Sequence, residues 1–179
     1  CIKCAAGKKN PNNGSNSGDA CDFCGINTKA ASEGSFECVA CEAGTVSGTG
    51  SSKCQPCEAG TFSNATGEAC QNCDVGQYRP SKQEDGVNST DPTTCMGCPV
   101  GQVMPFKGAT KCIDCIPGKF QDQEGNESCI ECATGRKFNA SIGISPENCL
   151  ACAKGQYQSK LGSTICLPCL TGTFQNVTG

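Results

Sequence analysis

The residues of this chain best able to do chemistry are its twenty cysteines, and every one of them belongs to a Cys-x-x-Cys pair. The pairs are Cys1/Cys4, Cys21/Cys24, Cys38/Cys41, Cys54/Cys57, Cys70/Cys73, Cys95/Cys98, Cys112/Cys115, Cys129/Cys132, Cys149/Cys152 and Cys166/Cys169. Three chemistries use such pairs. Oxidised, they form disulfides between neighbouring pairs, each closing a loop of roughly 15 residues worth about 3 kcal/mol in the chain-entropy model. As thiolates, two pairs about 13 residues apart approach the spacing of a zinc ribbon. At a helix N-terminus, a single pair can run dithiol redox chemistry.

The surroundings of the cysteines separate these readings. Zinc is disfavoured because the chain has no histidine, would need five consecutive four-cysteine sites, and lacks the basic residues usual in such modules. Redox catalysis is disfavoured because each pair is followed by a turn residue and not by a helical pattern. Disulfides are the expectation for all twenty cysteines, with two connectivities open. In a ladder, the second cysteine of one pair bonds the first of the next (Cys4 to Cys21, Cys24 to Cys38), leaving Cys1 and Cys169 for neighbouring segments. In crossed modules, two pairs bond first to first and second to second (Cys54 to Cys70, Cys57 to Cys73). Crossed modules predict alternating loop lengths, and the loops do not alternate, which leans toward the ladder.

The other reactive signal is the sequon. Asn13, Asn64, Asn88, Asn126, Asn139 and Asn176 each open an Asn-x-Ser/Thr triplet, six of the twelve asparagines. With 29 Ser and Thr in 179 residues, composition alone yields about two such triplets, so N-linked glycans and passage through the secretory pathway are expected. Asn64, Asn139 and Asn176 all lie seven residues after the second cysteine of their repeat, which places them on one glycan-bearing side.

The elements that position these groups form a repeat of Cys-x-x-Cys-x-x-Gly-x-aromatic, a polar loop, and the next pair. Three residues after the second cysteine stand Gly7, Asn27, Gly44, Gly60, Gly76, Gly101, Gly118, Gly135, Gly155 and Gly172. Nine glycines and one asparagine predict a left-handed turn. Two residues further come Val46, Phe62, Tyr78, Val103, Phe120, Tyr157 and Phe174, with Phe138 displaced by one and Lys9 and Lys29 in the first two repeats. These are expected to cover the disulfides. Alternations such as Thr61-Phe62-Ser63 and Gln156-Tyr157-Gln158 predict strands of two to four residues, and helical periodicity is absent. The fold expected is a small disulfide-rich repeat array of short β-hairpins and irregular turns, with little or no helix. Residues 1–179 read as one tandem array of ten repeats starting at 1, 21, 38, 54, 70, 95, 112, 129, 149 and 166. Without a core of its own, each repeat is expected to touch only its neighbours in an elongated rod, which at ~10 Å per repeat reaches on the order of 100 Å.

Composition excludes several function classes. Cysteine is about a ninth of the chain, above the roughly 8–10% that marks a disulfide scaffold, and there is no Trp, with two Tyr and seven Phe. Fourteen basic against 17 acidic residues leave a net charge of −3, with no basic cluster to neutralise phosphates, so no nucleic-acid partner is expected. No stretch approaches the ~20 apolar residues of a membrane span. Opening on Cys1 and closing within a repeat, the chain reads as a segment of a longer array or a processed product. No cofactor or metal is expected. Without histidine, the usual nucleophile–base constellations cannot form, and Glu84 and Asp85 lack the ligand spacing of a calcium loop, so an enzyme is not expected.

The string Cys-x-x-Cys-x-x-Gly-x-Phe/Tyr-x-x-x-x-Gly-x-x-x-Cys-x-x-Cys, as at Cys54 to Cys73, Cys112 to Cys132 and Cys149 to Cys169, resembles the ephrin-receptor-like cysteine-rich repeats of extracellular proteins. It is similar, at greater distance, to the modules of TNF receptors and to the Cys-x-x-Cys-rich surface proteins of parasitic protists. The resemblance implies a disulfide-bonded array at a cell surface or in extracellular material, and no catalytic residues. Two functions fit. One is structural or adhesive, as part of a coat, stalk or filament whose partners are neighbouring repeats or other copies of the chain. The other is a ligand-binding receptor ectodomain for another extracellular protein, with the loop at 81–94 and the Tyr78–Arg79 pair as contacts. In the plainer reading of that pair, Tyr78 packs on Cys70 and Cys73 and Arg79 is solvated.

Overall fold

The computed structural model describes residues 1–13, 15–81 and 91–179, and its regular structure consists of two-residue strands and two short 3-10 turns, Gly18–Ala20 and Pro146–Asn148. Strands this short follow from the sequence: the turn residue lies three residues after the second cysteine of its pair, and the second cysteine of the next pair ends the partner strand. Each hairpin joins two repeats. Its first strand follows the turn residue of one repeat, and its second is the dipeptide inside the next Cys-x-x-Cys, as in Thr61↔Asn72 and Phe62↔Gln71.

The chain divides into two compact units. The first, Cys1–Cys73 with Arg79–Cys95, holds four antiparallel hairpins. These pair Lys8–Lys9 with Asp22–Phe23, Thr28–Lys29 with Val39–Ala40, Thr45–Val46 with Gln55–Pro56, and Thr61–Phe62 with Gln71–Asn72. The second, Asp74–Tyr78 with Met96–Gly179, holds five. They pair Gln77–Tyr78 with Met96–Gly97, Gln102–Val103 with Ile113–Asp114, Lys119–Phe120 with Ile130–Glu131, Arg136–Lys137 with Leu150–Ala151, and Gln156–Tyr157 with Leu167–Pro168. The near-absence of helix and the hairpin per repeat match the sequence expectation.

The turn position also behaves as its residue types require. All ten residues three after the second cysteine have positive φ, from 56° at Asn27 to 90° at Gly118. The turn carbonyl then accepts the backbone N–H of the second cysteine of the next repeat, in nine bonds of 2.7–3.0 Å from Cys24→Gly7 to Cys169→Gly155. A left-handed residue aims that carbonyl at the cysteine, which an ordinary residue does only under strain.

One expectation is corrected. Repeats do not touch only their neighbours, because the turn glycine of one repeat is met by the loop of the repeat two further on. A side chain on Gly7 would overlap the Gly50 carbonyl, one on Gly76 that of Gly125, and one on Gly118 that of Gly162. The physical reason is the absence of a side chain on either surface: backbone meets backbone, so the stack closes to a depth that nearest-neighbour packing of side chains would not reach.

A second expectation is refined. The apolar position five after the second cysteine is buried only in places, at Val103 and Phe120, while Tyr157 and Phe174 are exposed. The next position points inward instead: Ala30, Ser63, Arg79, Met104, Gln121, Phe138 and Gln158 are all buried. In eight repeats its carbonyl accepts the turn residue's N–H from the repeat before, at 2.7–2.9 Å. That bond fixes the residue against the stack, whereas the strand residue before it projects away. Phe138, out of register with the aromatics, is in register with this inner column, and it joins Phe120, Cys132 and Cys149 in a buried cluster.

The seam predicts unequal glycine substitutions. Gly118→Ala places a Cβ in the Gly162 carbonyl at φ 90°, and should lower the stability of the oxidised chain by about 2–4 kcal/mol in denaturant unfolding. Gly125→Ala, with open space at its Cβ and φ 74°, should cost only about 1 kcal/mol. Equal losses would remove the role assigned to the seam.

Candidate functional site

Sulfur chemistry is the repeated chemical feature of the fold, and it takes the form of a ladder. Nine disulfides join Cys4–Cys21, Cys24–Cys38, Cys41–Cys54, Cys57–Cys70, Cys73–Cys95, Cys98–Cys112, Cys115–Cys129, Cys132–Cys149 and Cys152–Cys166. Each therefore clips a hairpin whose first strand lies between the two bonded cysteines and whose second follows the later one inside its pair. The Cα–Cα separations, 5.6–5.8 Å, sit within the ordinary disulfide range. Cys1 and Cys169 have no disulfide partner among the described residues. The second cysteine of each bonded pair is buried, while the first is half-buried in every pair except Cys149. This asymmetry has a backbone cause: the second cysteine is the one whose N–H is held by the preceding turn carbonyl. The longest closed loop, with a separation of 22 residues, runs from Cys73 to Cys95 and contains the insertion.

The residues singled out for ligand contact separate here. Tyr78 is half-buried and stands opposite Met96 in its hairpin. Arg79 is not solvated as the plainer reading expected; it is 6% exposed. Its Nη2 donates to the carbonyls of Cys57, at 2.6 Å, and Glu58, and its Nε to that of Thr61. The correction follows from the inner column, in which residue 79 faces the preceding turn, where only a fork of donors can satisfy three carbonyls at once. Burial lowers the pKa of the guanidinium, and the Asp91 charge partly opposes this. The carboxyl of Asp91 is in turn held below the usual range by hydrogen bonds from the Thr93 hydroxyl and backbone N–H. Glu84, Asp85 and most of the 81–94 loop lie outside the described residues.

Sequence reasoning missed the polar members of this inner column. Gln121 donates from Nε2 to the Ser128 carbonyl at 2.8 Å and accepts from the Gln123 N–H at 3.1 Å. Gln158 does the same with the Ile165 carbonyl at 2.8 Å and the Lys160 N–H at 2.9 Å. Ser63 donates to the carbonyls of Ala65 and Glu68. The recurrence of glutamine at 121, 158 and 175, each six residues after a second cysteine, was the available signal. Among the described residues, every buried side-chain polar atom has a partner.

Two surface features complete the geometry. A groove of about 430 Å³ in the second unit is floored by Phe120, Ala133 and Cys149 and rimmed by Glu131, Arg136 and Glu147. Arg136 reaches the Cys149 carbonyl at 2.8 Å, and Lys119 pairs with Glu131 at 3.1 Å. The Ser145 hydroxyl holds the carboxyl of Glu147 below its ordinary pKa. Of the sequon asparagines, Asn13, Asn64, Asn139 and Asn176 are exposed, Asn126 is half-buried, and Asn88 lies outside the described residues.

Residues 101–143 and 141–179 each match the family model described as tyrosine-protein kinase ephrin type A/B receptor-like. Residues 101–179 are ephrin-receptor-like cysteine-rich repeats. No curated protein matches the chain. Residues 1–100 share with residues 101–179 the disulfide ladder, the left-handed turn and the strand register. The family match over residues 101–179 and the nine disulfides are those of an extracellular disulfide-rich module, since such bonds persist in oxidising compartments. No helix among the described residues is long and apolar enough to cross a membrane.

Arg79→Ala should lower stability by about 2–3 kcal/mol, because three carbonyls lose a charged donor, and Arg79→Lys should recover less than half of that loss. Full recovery by lysine in chemical unfolding would show that charge and not the fork matters. Asp91 should titrate below the ordinary value of about 3.9. The contribution of its charge to folding is present above the unfolded-state value and lost only as pH falls through the lowered native one. NMR titration of Thr93→Val should move that midpoint upward; an unchanged midpoint would exclude the hydroxyl as the main cause.

Proposed function

We propose that this chain is a structural or adhesive extracellular glycoprotein, a run of disulfide-clipped hairpins serving in a cell-surface coat, a stalk or an extracellular filament. The observation that carries this reading is where the buried residues go. They are chiefly the cysteines of the ladder and an inner column whose polar side chains are satisfied by backbone, so the interior is spent on holding repeats together. Its partners in this reading are neighbouring repeats and other copies of the chain, and it has no catalytic role. Electron microscopy of the oxidised chain should show particles joined end to end into larger assemblies. Only isolated single particles, at all concentrations, would overturn it.

A specific observation favours a second reading, that of a ligand-binding ectodomain. At the first position inside Cys-x-x-Cys the second unit exposes Ile113, Ile130, Leu150 and Leu167, where the first unit mixes the exposed Ile2 and Val39 with Asp22, Gln55 and Gln71. The hairpin therefore does not require an apolar residue there. Replacing Ile130 and Leu150 together by Gln should leave unfolding within about 0.5 kcal/mol of the parent while weakening adhesion to cells or to other copies. Undiminished adhesion would remove the second reading.

A further inference from the structure

The hairpin register sorts four of the five described sequon asparagines, all but Asn13, into two kinds. Asn64, Asn139 and Asn176 occupy one position, directly after the inner-column residues Ser63, Phe138 and Gln175. Because the preceding residue is held against the stack, this next one turns outward, and all three asparagines and the hydroxyl residues of their triplets, Thr66, Ser141 and Thr178, are exposed. The same position is exposed at Pro11, Ala31, Gly48, Pro105, Asp122 and Ser159, and buried at Pro80. No hydrogen bond holds the three asparagine side chains among the described residues.

Asn126 belongs to another position, the residue after the loop glycine, filled by Ser35, Ser51 and Ser163 in other repeats. That position lies in the seam. The Asn126 carbonyl accepts the Met104 N–H at 3.1 Å, as those of Ser35, Ser51 and Ser163 accept Asn10, Ala30 and Phe138. Its Nδ2, the atom a glycan would occupy, points to the Gln123 carbonyl at 3.4 Å, and the Ser128 carbonyl of the same triplet is held by Gln121 at 2.8 Å. Gly125, immediately before it, is the residue that meets Gly76.

We infer that Asn64, Asn139 and Asn176 carry N-linked oligosaccharide in the folded chain and that Asn126 does not. The proposal rests on the extracellular reading above, which supplies the donor, a lipid-pyrophosphate-linked oligosaccharide. In the transfer, Nδ2 forms a bond to the anomeric carbon of the first sugar, the glycosidic bond to the pyrophosphate breaks, the lipid pyrophosphate leaves, and the amide gives up one proton. At the outward position the bulky chain runs into solvent. At Asn126 it would have to leave from the face on which one repeat closes on another.

The experiment is secretion of the full chain from a eukaryotic host, followed by enzymatic glycan release, which leaves an aspartate at each occupied asparagine, and peptide mapping of the folded, oxidised fraction. Occupancy at Asn64, Asn139 and Asn176 should exceed that at Asn126 by roughly tenfold. A second variant, Asp122→Asn with Glu124→Thr and Ser128→Ala, moves the triplet of that repeat to the outward position, and residue 122 should then be occupied as fully as Asn64. Glycan on Asn126 equal to that on the three outward sites, or none on residue 122 of the variant, would overturn the inference while leaving the extracellular reading intact. A chain with reduced cysteines and no glycan at any site would overturn both.

Discussion

The second cysteine of each pair from Cys24 to Cys152 is held twice, by sulfur to the next repeat and by its own N–H to the turn carbonyl of the repeat before. These two links constrain everything else. A disulfide closing a loop of this size contributes about 3 kcal/mol through the unfolded chain, but only if the folded backbone presents the sulfurs at bonding distance without strain. The turn carbonyl does that positioning. It needs positive φ at the turn residue, which is why ten repeats of otherwise variable sequence keep nine glycines and one asparagine there.

A core made of cross-links has consequences for what lies beside it. The interior is about one residue deep, so no layer of large side chains shields the backbone, and the carbonyls of each loop must find donors from whatever faces inward. Serine, glutamine and arginine meet that need in the inner column at Ser63, Gln121, Gln158 and Arg79. Where the column is apolar, at Met104 and Phe138, the neighbouring residues form the nearest thing to a conventional core, with Phe138 in the cluster around Cys132 and Cys149. Polar and apolar solutions coexist because the position asks for a shape that fits under a loop and for satisfied carbonyls, not for hydrophobicity as such.

The same economy bears on function. In a stack that closes backbone to backbone, the sulfur chemistry is spent in bonds that hold neighbours together. Variation is then free on the outside: the dipeptide within each Cys-x-x-Cys, from Gln71-Asn72 to Leu150-Ala151, and the outward position where three sequons sit. A scaffold of this kind presents surfaces at regular intervals, which suits coats, stalks and adhesive arrays, and lets one stretch of repeats acquire a partner without disturbing the rest.

What the sequence determined by itself is the periodic part: the hairpin per repeat, the left-handed turn, the scarcity of helix and the engagement of cysteines between neighbouring pairs. These depend on residue types at fixed local spacing, where the preference of glycine for positive φ and the reach of a disulfide leave few options. Spacing only leaned toward a ladder over crossed modules, through loop lengths that do not alternate, and the choice was made by the hairpin that brings the second cysteine of one pair beside the first of the next. Nor could it show the contact between repeats two apart, or that Arg79 points inward while Asn64 points outward. Both depend on which backbone face meets the stack, a relation between segments up to 49 residues apart, as between Gly76 and Gly125, that no local pattern encodes and only the assembled repeats decide.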